Sequence, residues 1–158
     1  MQILYGVEHR DLKGHSSGFS SQFVRKIAET ASILDRDDRL CIVQTESEKQ
    51  ALKDLFEREN LYEETFELYP LQSPAASFNT DYGFVSSSNR VYLYKEMTVP
   101  FRINDEEEDD IKMAMLQMEE HLVAVDESVN PFVYFADRQQ GDLIKQIGSA
   151  YQVSVTLL

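Results

Sequence analysis

Apolar residues return at two different periods along this chain, and the alternation of those periods predicts an order of elements. Ile3 to Val7 is a short apolar run followed by the polar stretch Glu8 to Ser17, which predicts a buried strand and its exit loop. Phe19, Phe23, Ile27, Ala31 and Leu34 then recur at helical intervals. That spacing lines one face of a helix, with Ser16 or Ser17 available as N-cap. Asp35-Arg36-Asp37-Asp38-Arg39 reads as a charged loop, and Leu40 to Thr45 as a second strand. Ser47 and Gln50 form an S-x-x-Q capping box ahead of Ala51, Leu52, Leu55 and Phe56. Phe66 to Tyr69 is the next strand.

A β-α-β-α-β opening predicts a parallel sheet with right-handed crossovers. The rhythm breaks at Pro70. Pro70 to Asp81 reads as a long loop, rich in small polar residues. Tyr82 to Val85 and Val91 to Val99 flank Ser86-Ser87-Ser88-Asn89-Arg90 as a hairpin, with Asn89 suited to a positive φ and Pro100 closing the region. Asn104 or Asp105 caps a third helix through Ile111, Met115, Met118 and Leu122. Phe132 to Phe135 is a strand, Leu143, Ile144 and Ile147 mark a short helix ending near Gly148, and Val153 to Leu157 is the last strand. No internal repeat is visible in the residue pattern. The expected fold is a single α/β domain over residues 1–158. It has a mostly parallel central sheet, about four flanking helices, and a long loop plus β-hairpin inserted at 70–104.

Composition narrows the function. Hydrophobic residues make up 42% of the 158, enough for a buried core, and 28 acids against 15 bases give −13. Such a balance argues against direct nucleic-acid binding and against anionic membrane surfaces, both of which need clustered Lys and Arg. It favours a basic protein partner, because complementary fields speed encounter. Cys41 is the one cysteine, so neither a disulfide framework nor a Cys-rich zinc site is available. No apolar run approaches the ~20 residues of a membrane span. Residues 1–7 show no basic n-region or cleavage site, so the expected location is a reducing cytoplasm.

Two sets of candidate residues follow. In an open parallel sheet, ligands bind beyond the carboxyl ends of the strands, here Glu8-His9, Thr45-Glu46 and Asp137-Arg138. Glu8, Glu46 and Asp137 on one rim would suit a hard cation such as magnesium; otherwise no cofactor or metal is expected. The stretch Lys13-Gly14-His15-Ser16-Ser17-Gly18 leads into a helix N-terminus, where free N–H groups attract anions. It matches neither G-x-G-x-x-G nor a Walker A loop. Ser16 lies in a G-x-S-x-G match, but without the tight strand-turn-helix that a hydrolase elbow requires. His9 and His15 are the candidates for proton transfer.

The second set is acidic. Residues 105–127 hold ten acids and one base, Lys112, so −9 of the −13 lies there. The first functional reading is a non-enzymatic, acidic protein-interaction module. Its concrete form is an immunity-type or inhibitor protein that neutralises a basic toxin or nucleic-acid enzyme. Asp105, Glu106, Glu107, Glu108, Asp109 and Asp110 would steer the encounter, and the hairpin aromatics Tyr92 and Tyr94 would supply contact area. The alternative is a small α/β enzyme or sensor for a phosphorylated or nucleotide-like ligand. That site would use Glu8, His9, Gly14, His15, Ser16, Ser17, Gly18, Glu46 and Asp137. These residues fix no reaction, so whether the protein is an enzyme stays open.

Overall fold

The computed structural model describes residues 1–72, 78–104 and 107–158. They fall into two compact units. The first is Gln2–Pro70 with Val85–Arg90; the second is Leu71–Phe84 and Val91–Leu158, with Met1.

In the first unit the charged stretch expected as a loop begins with a strand, and that changes the topology. The elements are β1 (Leu4–His9), α1 (Ser17–Thr30), β2 (Asp35–Asp37), β3 (Leu40–Val43), α2 (Glu46–Arg58) and β4 (Tyr62–Leu71). The strands lie in the order β2-β3-β1-β4. Each neighbour is antiparallel, with Tyr5 opposite Val43, Gly6 opposite Phe66 and Asp37 opposite Leu40. The expected mostly parallel sheet is therefore corrected. Each helix does connect two strands of like direction, β1 to β2 and β3 to β4. An antiparallel strand lies between each such pair, giving the split βαβ, or ferredoxin-like, arrangement. Hydrophobic rhythm reveals β1, α1 and β3 but not the edge strand β2 between α1 and β3, and without β2 the connection looks like a parallel crossover. β2 escaped notice because its residues are charged, and a short charged edge strand resists unwanted edge pairing.

Strand alternation places Val7, Cys41 and Val43 on the helix-covered face, where they meet Phe23 and Ile27 of α1 and Leu52, Leu55 and Phe56 of α2. Ser16 caps α1 as expected, its Oγ accepting from the Phe19 N–H at 3.1 Å. The capping box of α2 is Thr45 with Glu48 rather than Ser47 with Gln50. Thr45 Oγ1 accepts from the Glu48 N–H, and a Glu48 carboxylate oxygen accepts from the Thr45 N–H, each at 3.2 Å. The helix thus starts as soon as β3 ends. On the other side of the unit, Asp35 is buried and accepts from the hydroxyls of Ser86 and Ser88, both at 2.6 Å. Asn89 takes a φ of 60° in that turn, as its residue type suggests.

The second unit holds Gly83 and Phe84 of β5 (Gly83–Val85) and all of β6 (Val91–Tyr94), which are hydrogen-bonded neighbours, and the loop before them lies partly outside the described residues. It continues as β7 (Thr98–Ile103), α3 (Glu108–Met118), β8 (Leu122–Asp126), β9 (Val133–Asp137), α4 (Gly141–Ala150) and β10 (Val155–Leu157). Strand order β10-β7-β9-β8, again antiparallel throughout, repeats the topology of the first unit. The residue pattern carries no repeat, yet the fold does. Phe101, Ile103 and Ala136 of the sheet pack with Ala114 and Met118 of α3 and Ile144 of α4. Two boundaries differ from expectation. Leu122 begins β8 instead of extending α3, because a 3-10 turn at Glu119–His121 releases the chain. Pro100 lies inside β7 opposite Phe135, and its carbonyl accepts from the Leu158 N–H at 2.9 Å.

No helix among the described residues is long and apolar enough to cross a membrane. Phe23 is 1% exposed at the centre of the first core. Phe23→Ala is expected to lower unfolding free energy by about 3–5 kcal/mol in urea titration. A loss below about 1 kcal/mol would contradict this packing.

Candidate functional site

The antiparallel register separates the strand-end carboxylates that a parallel sheet would have gathered. Glu8 pairs with Leu40, whereas Tyr5 pairs with Val43, so the exits of β1 and β3 lie at opposite ends of the sheet. Glu8 and Glu46 therefore share no rim. Glu46 is exposed in the first turn of α2, 3.3 Å from Lys49. Asp137 ends β9 in the second unit, where it accepts from the Tyr82 hydroxyl at 2.7 Å and from the Gln139 N–H at 2.8 Å. Among the described residues no group of three or more His, Cys, Asp and Glu could hold a metal ion.

What the end of β1 does meet is the β2–β3 turn. The His9 N–H donates to the Arg39 carbonyl at 3.1 Å, and Asp38 holds that turn with a φ of 49°. His9 is 2% exposed, with its ring edge-on to Phe23 and Phe56 at centroid distances of 5.2 and 5.5 Å. Nε2 lies 3.0 Å from an Arg36 Nη2 and Nδ1 lies 2.8 Å from the Arg10 carbonyl. A guanidinium only donates, so Nε2 accepts and Nδ1 carries the proton; the ring is neutral. Burial holds its pKa below the ordinary histidine value, the Arg10 carbonyl opposes that shift, and the charge on Arg36 adds to it.

Among the described residues the Arg36 side chain is held by uncharged acceptors, while its main-chain N–H donates to Asp35 Oδ1 at 2.8 Å. Besides the His9 ring it bonds the Asp38 carbonyl through Nε at 3.0 Å, and among the described residues it makes no ion pair. Beside it lies a pocket of about 450 Å³, lined also by His9, Asp11, Lys13, Asp38 and Arg39. Lys13 pairs loosely with Asp11 at 3.7 Å, and Arg39 with Asp38 at 3.6 Å and Glu8 at 3.8 Å. Burial raises the Glu8 pKa. The charged stretch Asp35–Arg39 was legible as charge, but nothing in its residue pattern shows that it folds against His9.

The Gly14–Gly18 loop is exposed. Gly14 has a φ of 87°, His15 stacks on the Phe19 ring at 4.4 Å, and the Ser16 hydroxyl is committed to the helix cap. Ser17 and Gly18 are surface residues of the first turn of α1.

Of the acidic run, Glu107 is the N-cap residue of α3, and Glu108, Asp109 and Asp110 form its exposed first turn. Asp105 and Glu106 lie outside the described residues. Tyr92 is only 1% exposed, and its ring sits 5.4 Å from that of Phe84, so it belongs to an interior. Tyr94 is half-buried, 5.7 Å from the same Phe84 ring. The apolar surface of this unit is elsewhere. A groove of about 660 Å³ runs along α3, walled by Ile111, Met115, Leu116, Val125, Phe132 and Tyr134. Leu116 is 64% exposed and Phe132 41%. Glu119 and Glu127 line the same groove, with Lys112 as its one cation among the described residues. Neither Leu116 nor Phe132 stood out in the sequence as a site residue: Phe132 reads as the first residue of a buried strand, whereas β9 begins at Val133 and leaves Phe132 exposed before it.

Comparison with protein-family models, with curated proteins and with solved structures gave no match.

The neutral, buried His9 gives a signed expectation. Its folded pKa is lowered, so below about pH 6.5 the unfolded chain binds a proton that the folded chain resists. Wild-type stability should fall as pH drops from about 6.5 towards that lowered value, and the slope should flatten in His9→Gln. Glu8 is common to both proteins, so its own titration cancels in the comparison. Equal slopes in urea titrations across this window would show that the ring is not held neutral.

Proposed function

We propose that the protein binds a basic protein partner by taking an amphipathic, positively charged helix of it into the apolar groove along α3. The observation that carries this reading is Leu116 and Phe132 standing exposed in a groove that also holds Glu119 and Glu127. Contiguous exposed apolar surface of this kind marks interaction sites. Recognition of an amphipathic helix needs apolar anchors at helical spacing and a groove to receive them. The carboxylates decide the sign of the occupant. Glu119 and Glu127 meet the flanks of a docked helix, and Glu108, Asp109 and Asp110 extend the negative field beyond the groove. Inhibition of a basic toxin or nucleic-acid enzyme is the concrete form, since covering its cationic surface would block access to an anionic substrate.

The test uses a labelled synthetic peptide of about 18 residues, with Leu at helical spacing and Lys elsewhere, and follows its fluorescence anisotropy. An acidic peptide with the same apolar face is the control. Wild type should bind the basic peptide and not the acidic one, and higher salt should weaken the complex. Leu116→Glu and Phe132→Ser should each weaken binding by at least about tenfold, as loss of a buried interface anchor does. Leu116 is the more exposed of the two, so Leu116→Glu decides the matter if Phe132→Ser fails to fold. Basic-peptide binding that survives both substitutions would reduce the effect to unspecific charge attraction and overturn the reading.

A further inference from the structure

We infer that the pocket beside Arg36 in the first unit is a binding site for a phosphoryl group, independent of the groove on the second. Three cations, Lys13, Arg36 and Arg39, converge there in a chain whose formal charge is −13. An acidic protein has carboxylates in excess with which to neutralise a guanidinium. Arg36 instead rests on the neutral ring of His9 and on a main-chain carbonyl. Those contacts fix its plane without placing a carboxylate on the guanidinium, which lines the pocket. A carboxylate in place of His9 would hold the side chain as well and abolish the charge.

The rest of the pocket suits the same chemistry. Arg39 and Lys13 hold their carboxylates at 3.6–3.8 Å, longer than a direct charge-assisted hydrogen bond, so an incoming anion has little to displace. Planar N–H forks match phosphate oxygens, and a flexible ammonium adds a point charge. Asp11 and Asp38 line the pocket too and offset part of its positive charge. A pocket of about 450 Å³ exceeds a bare phosphate and leaves room for a small organic group. Inorganic phosphate and a small phosphomonoester share this chemistry.

Titration of labelled protein with inorganic phosphate and with glycerol 3-phosphate, at constant ionic strength, distinguishes them by NMR. Saturable shifts are expected at the Arg36 side chain, the His9 ring and Lys13, with chloride giving none. Tighter binding of glycerol 3-phosphate would identify a phosphomonoester as the ligand, and equal binding would identify free phosphate. Arg36→Gln should weaken binding by at least about tenfold, and Lys13→Gln by about threefold, since the first removes a fork and the second a point charge. Lys13 is exposed, so its variant decides the matter if Arg36→Gln fails to fold. Shifts that rise linearly without saturating up to about 50 mM, or an affinity untouched by Lys13→Gln, would overturn the site.

Discussion

An antiparallel strand lies between every two strands that a helix connects, and the rest of each unit follows from that intercalation. It keeps both helices of a unit on one face of the sheet, so one apolar core forms beneath them. It also places the exit of β1 against the β2–β3 turn, because β3 runs back alongside β1. His9 therefore meets Arg36 and Arg39 rather than Glu46. The same constraint removes the common rim of strand ends on which a doubly wound sheet builds its sites. In the second unit, β8 and the start of β9 together with α3 shape the apolar groove.

The two units share a topology and differ in what their surfaces hold. Beside β1 the first gathers guanidinium and ammonium groups around a neutral imidazole. Along α3 the second opens an apolar trough among carboxylates. A fold of this kind fixes the frame, and function resides in the side chains placed on it. That is why opposite chemistries fit one arrangement, and why topology alone identifies neither ligand.

The helices and the strands β1, β3, β4 and β9 were largely legible in the sequence, because Phe19, Phe23 and Ile27, or Leu52, Leu55 and Phe56, recur with a helical period and helix burial depends on that period. Strand direction was not legible. Residues at period two report which face is buried, not which way a neighbour runs, and Asp35–Asp37 carries no apolar signal at all. The charge of α3 could be read from composition, yet the groove depends on where the chain leaves the helix at Glu119 and on Phe132 projecting at the start of β9. Tyr92 shows the converse error. An aromatic in a hairpin reads as a surface anchor until its burial is known.

The central functional claim concerns where a basic amphipathic helix docks, and chemical-shift mapping addresses that directly. Backbone amide resonances of the isotope-labelled chain, followed as the unlabelled basic peptide is added, should move in α3, in β8 and in the segment from Glu127 to Tyr134. The resonances of α1, α2 and the β2–β3 turn should stay in place. Shifts scattered over all acidic surfaces, or concentrated in the first unit, would contradict the account.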